Sequence, residues 1–251
     1  MKAYTILLTI ALIANSCSNT DRRSIANRPS IISVIRDETD PLIASCKPEP
    51  ILALFKFGDD KSREAYFRLQ LITDMRLSPM VEYHLPGGTP DQNGIESTGP
   101  WHRERLILAF YDSVSGKLQA VASNANKKAS LNYSECFSKI ASELTNLSNH
   151  QSAEKTLIVF SDLQENTTLF SCYKEMDKQI LKLHPDSVAR LFTATYPIPD
   201  NLSSTKIFFV YQSTTRADEQ SFFSMYNLYK RILEQRGAIV HLQSNAESFT
   251  E

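Results

Sequence analysis

Much of what usually announces a function is missing from this sequence. Glycine is scarce, at seven residues, and no glycine-rich loop joins a strand to a helix, which removes the phosphate-cradling motifs. The histidines His84, His102, His150, His184 and His241 show no metal-ligand spacing, and the four cysteines form no CxxC pair, so nothing suggests a zinc centre. No Ser/His/Asp hydrolase motif is present. An excess of one charge is absent too: 27 Lys and Arg stand interspersed with 28 Asp and Glu, for a net charge of −1. A general nucleic-acid binder needs a basic face, so nucleic acid is not an expected partner. There is no internal repeat, and beyond the N-terminus no apolar run is long enough to span a bilayer.

The hydrophobic run that does occur stands at the start. Residues 1–16 carry Lys2, an apolar stretch over 6–14 and then small residues, the layout of a secretory signal peptide and too short for a membrane span. The segment Ala14-Asn15-Ser16-Cys17 resembles a bacterial lipobox, with Ala14 where leucine is commoner. That resemblance implies lipid attachment at Cys17, a lipidated tether over 17–30 and a place in the bacterial cell envelope, in the outer membrane or facing the periplasm. A multiply acylated cysteine supplies more than the two anchoring signals that stable attachment needs. The remaining 31–251, in a chain of 42% hydrophobic residues, suffices for one α/β domain and not for two. Cys46, Cys136 and Cys172 allow at most one disulfide. Cys136 and Cys172 fall on apolar faces of predicted helices, where buried thiols are an equal expectation.

Strand and helix signals alternate through 31–251. A β-branched run predicts a strand over 31–36. Asp40 before Pro41 has the arrangement of an N-cap and a first-turn proline, so a helix is expected from about Pro41, interrupted by Pro48 and Pro50 and restarting over 51–57. Runs over 66–73 and 80–85 predict a hairpin, ahead of a long loop over 85–100. Helical spacing predicts helices over 101–121 and 131–147, the second with Ser130 as N-cap. A strand over 156–160 follows, then a helix over 169–183 with Leu169, Cys172, Met176, Ile180 and Leu183 as its apolar face. A strand over 206–211, a helix over 218–236 closed by Gly237 and a strand over 238–242 complete the chain. Phe222, Tyr226 and Tyr229 read as a core stripe of that last helix. The order predicts an α/β fold: doubly wound, mostly parallel, with one antiparallel edge strand and helices on both faces, Rossmann-like in class.

In such sheets ligands bind beyond the carboxyl ends of the strands, where strand order reverses. The first strand ends in Asp37, Thr39 and Asp40, and the strand over 156–160 ends in Ser161 and Asp162; the two are expected as neighbours at that point. Oxygen donors without His or Cys suit Mg²⁺, Mn²⁺ or Ca²⁺. Each residue also has an ordinary role open to it. Asp40 can cap a helix, Ser161 and Asp162 can form a turn, and Asp37 can bond loop amides. The polar run Gln164, Glu165, Asn166, Thr167 and Thr168 reads as a solvated loop leading into the next helix.

On these residues the chain resembles the von Willebrand factor A (VWA) domain family. In that family the first strand ends in DxSxS, a later loop adds a Thr, and an Asp after another strand completes a metal ion-dependent adhesion site. Asp37 and Thr39 match the first two positions of DxSxS and Asp162, in VFSDL, matches the final Asp. The third position is Pro41, which offers no ligand, while Asp40 adds a carboxylate. Thr89 and Thr98 belong to a loop expected at the opposite end of the sheet. The loop hydroxyl is therefore sought among Ser123, Asn124, Asn126 and Ser130, with Ser130 favoured. The resemblance implies a metal set of Asp37, Thr39, Asp162, Ser130 and Asp40, holding Mg²⁺ or Mn²⁺ in preference to Ca²⁺.

The function implied is that of a non-enzymatic, membrane-tethered binding module recognising a protein partner, with a divalent cation at a degenerate site. Two alternatives are carried with it. One is a structural or assembly component of an envelope or transfer machine with no metal site. The other is a phosphohydrolase of the haloacid dehalogenase type, with Asp37 as nucleophile and Ser161 as its later hydroxyl. The second needs an acidic pair after a late strand, and Phe208-Phe209-Val210-Tyr211-Gln212 supplies none.

Overall fold

The computed structural model describes residues 28–39, 46–73, 79–88, 100–124, 133–245, 247 and 249. Cys17, the signal and most of the tether lie outside them, as do Asp40, Pro41, Thr89, Thr98, Asn126 and Ser130. The strands are β1 (Ser30–Asp37), β2 (Ala65–Ile72), β3 (Met80–Leu85), β4 (Glu154–Phe160), β5 (Thr205–Val210) and β6 (Ile239–Gln243). They form one sheet in the order β3-β2-β1-β4-β5-β6. Every neighbouring pair is parallel except β2 with β3, so the doubly wound sheet carries one antiparallel edge strand.

Composition accounts for these positions. β1, SIISVIRD, is buried at every residue, as a strand covered on both faces must be. Each of its Ile31, Ile32, Val34 and Ile35 side chains contributes about 1.5–3 kcal/mol on burial. β3 is exposed at alternate positions, which fits an edge. The short link from β2 to β3 forces a hairpin, because a parallel return needs a dozen residues or more.

Helices α1 (Pro48–Ala53), α2 (Pro100–Asn124), α3 (Cys136–Ser148), α4 (Glu175–Leu183), α5 (Pro185–Thr195) and α6 (Arg216–Glu234) cover the sheet. Right-handed crossovers that move one way from β1 and the other way from β4 place their helices on opposite faces. Ring contacts follow that division. Phe55, beside α1, meets Phe110 of α2 at 5.1 Å. On the other face Phe137 of α3 meets Phe192 of α5 at 5.2 Å and Tyr229 of α6 at 5.1 Å. Along β5 the adjacent Phe208 and Phe209 point apart, the first stacking on His241 and the second meeting Tyr226. Among the described residues no helix is long and apolar enough to cross a membrane.

Several boundaries differ from the sequence expectations. Pro48 and Pro50 stand in the first turn of α1, where a proline gives up no intrahelical bond, and α1 ends at Ala53, short of 57, while the helix start expected near Pro41 lies outside the described residues. α3 begins at Cys136, not 131: its N-cap is Glu135, and Ser134 just before it bridges Asn166. Ser130 is therefore not the N-cap of this helix. The helix expected over 169–183 begins at Glu175, since Asn166 bridges Ser171 and Cys172 donates its N–H to the Glu165 carbonyl at 2.8 Å. Its predicted apolar face points outward, with Met176 74%, Ile180 40% and Leu183 68% exposed, and Leu181 is the side chain it buries.

α5 was not predicted. It opens on Pro185 and buries Val188 and Phe192. The last helix agrees closely, with the Asp218 N–H donated to Thr215 Oγ1 at 3.2 Å at its start and Gly237 at φ 88° just past its end. Phe222, Tyr226 and Tyr229 are buried on it, as the core stripe expects, and Cys46, Cys136 and Cys172 are buried free thiols.

Candidate functional site

β1 and β4 pair in parallel with Arg36 opposite Phe160, so Asp37 and Ser161 leave the sheet at one level. This is where strand order reverses, β2 and β3 lying to one side and β5 and β6 to the other. Asp37 is fully buried. Its Oδ1 accepts the Thr39 N–H at 2.9 Å and the Thr39 hydroxyl at 2.6 Å, and its Oδ2 accepts the Ser161 hydroxyl at 2.9 Å. Ser161 Oγ in turn accepts the Leu163 N–H at 2.9 Å, which helps to hold Leu163 in a left-handed conformation at φ 60° with its side chain buried. Such a conformation costs a side-chain-bearing residue on the order of 1–3 kcal/mol. Half-buried Asp162 accepts the Gln164 N–H at 2.9 Å on Oδ1. The turn role foreseen for Ser161 and Asp162 therefore has its geometry.

Thus Asp37, Thr39 and Ser161 share direct hydrogen bonds, with Asp162 next to them in the chain. Asp40 and Ser130 lie outside the described residues. Of the other loop candidates, Ser123 is exposed on α2 and donates to the Gln119 carbonyl of its own helix at 2.9 Å. Among the described residues no three His, Cys, Asp or Glu side chains are grouped to hold a metal ion. The oxygen-only donors still suit a hard cation in kind. Asp162 is half-buried, whereas Thr39, Asp37 and Ser161 are buried.

The run after Asp162 is not the solvated loop that its polarity predicts. Gln164 and Glu165 are buried, and Glu165 is only 1% exposed. Its Oε1 accepts the Phe137 N–H in the first turn of α3 at 2.6 Å and also accepts the Tyr229 hydroxyl of α6. α3 has no side-chain cap from its own N-cap residue, Glu135, so Glu165 supplies the missing acceptor from a distant segment. Burial pushes the Glu165 carboxyl up to about 8, against the lowering effect of the Tyr229 and Phe137 hydrogen bonds. Burial also raises the Cys136 thiol well above its usual range, with the charges of Glu165 and Asp37 adding to it, and the Ser161 hydroxyl bonds that thiol. A thiol so held is inert as a nucleophile. Thr39, Asp37, Ser161, Cys136, Glu165 and Tyr229 thus form one buried polar chain of neighbours. The acidic strand ends were legible in the sequence. Glu165 was not, because nothing in SDLQENTT marks one polar residue as turned inward. The chain matches no family model, and no curated protein matches it.

Proposed function

We propose that this chain is a non-enzymatic binding module, tethered to a bacterial envelope membrane through Cys17, that recognises a protein partner at the carboxyl ends of β1 and β4. In this reading Mg²⁺ or Mn²⁺ belongs to the recognition surface, in the manner of a VWA-like domain with a degenerate adhesion site. The observation that carries it is the meeting of Asp37, Thr39 and Ser161, with Asp162 adjoining, at the point of strand-order reversal. Thr39 and Asp162 would hold the ion and Asp37 would orient the hydroxyls. A phosphohydrolase is disfavoured because Asp37 and Ser161 have no exposed surface and both Asp37 oxygens already accept hydrogen bonds. A nucleophile must reach its substrate.

The same bonds lend weight to one other reading, an assembly component in which Asp37 only locks β1 to β4. Thermal melting of the full chain separates the two. Saturating Mg²⁺ or Mn²⁺ is expected to raise the midpoint by about 5 °C, the order given by binding at a hundredfold excess over Kd, and Asp162→Ala is expected to abolish the rise. An unchanged midpoint in the parent removes the ion and leaves the assembly reading.

A further inference from the structure

A sizeable cavity lies away from Asp37. It lies between α4 and α6, beside the connection that leaves Ser161, and has a volume of about 700 Å³, within the range of small-molecule sites. Its floor is apolar and buried: Phe170, Leu181, Met225 and Leu228 are each at most 9% exposed. Its rim is cationic, carrying Lys178 and Lys182 from α4 and Arg231 from α6, and its lining contains no Asp or Glu. Lys182 has no ion-pair partner among the described residues. Lys178 has only Glu175 at 3.8 Å on its own helix, and Arg231 pairs at 2.6 Å with Asp186, which is outside the lining. Gln220, Ser224 and Asn227, at helical spacing with Arg231, add hydrogen-bonding groups along one wall.

An apolar floor under an all-cationic rim is complementary to one kind of occupant. We propose that the α4–α6 cleft is a binding site for a small anionic amphiphile, a molecule with a carboxylate or sulfonate head and an apolar body. The head meets Lys182 and its two neighbouring cations, and the tail covers Leu181, Met225 and Leu228. The site is separate from the Asp37 cluster and stands whether or not that cluster binds an ion.

Calorimetric titration of the full chain with decanoate tests it, with decyltrimethylammonium as the same tail on the opposite charge. Decanoate is expected to bind saturably at one site and the cation not at all. Lys182→Glu is expected to weaken decanoate about tenfold, and Ser224→Trp, at an exposed wall position, is expected to block the cleft; both variants should melt like the parent. Absence of saturable binding in the parent overturns the proposal, as does equal binding of the two amphiphiles or undiminished binding by the two variants.

Discussion

Glu165 ties two distant helices to the segment after β4, joining Phe137 of α3 and Tyr229 of α6 through one carboxyl oxygen. Its folded value of about 8 lies above the ordinary 4.5 of a glutamate, chiefly through burial. An unfolded chain therefore releases this proton first, and between about pH 4.5 and 8 the folded state binds more protons. The contribution of Glu165 is fully present below pH 4.5 and is lost as pH rises through 8. The linked change is on the order of a few kcal/mol. Urea midpoints taken from pH 5 to 8 are expected to fall more steeply in the parent than in Glu165→Gln, whose amide oxygen still accepts from Phe137 and Tyr229. Parallel slopes for the two proteins contradict the assignment. The sequence offered little to find this residue by. A strand-end acid such as Asp37 is signalled by the apolar run before it, whereas Glu165 turns inward between the Leu163 turn and the long-range pairing of Asn166 with Ser134.

At the scale of elements, strands were more legible than helix starts. Runs such as IISVI and TLIVF carry their own signal, because a strand buried on both faces is apolar throughout. α3 and α4 start late, after isolated bridges at Ser134, Asn166 and Ser171, and no local propensity encodes those partners. α4 shows a second limit: the period of 3.6 was real, but periodicity identifies a stripe without saying what covers it. The consequence for stability is direct. Met176→Lys and Leu183→Lys are expected to change unfolding free energy by no more than about 0.5 kcal/mol, while Leu181→Ala costs about 2–4 kcal/mol. Chemical denaturation of the three variants checks this. A large loss at Met176 means that α4 turns its other face to the core.

For the whole molecule the sheet order sets a gradient of stability. β1 and β4 are central, paired on both sides and apolar through most of their length, whereas β3 is a half-exposed edge held by one neighbour. Hydrogen exchange followed by mass spectrometry is expected to find the slowest amides in β1 and β4 and the fastest strand amides in β3. Protection in β3 equal to that in β1 rules the gradient out.

One more consequence follows from the connection between β4 and α4. Leu163 and Gln164 are tied to the side chains just before them, Asn166 to Ser134 and Ser171, Thr167 to Phe170, Ser171 to Asp177 and Cys172 to Glu165. A segment pinned at such short intervals has given up its conformational entropy on folding. It forms an edge of the Asp37 cluster and a wall of the α4–α6 cleft, so an occupant of either place would meet a surface already ordered by folding. Preorganisation of that kind spares association the cost of ordering a loop.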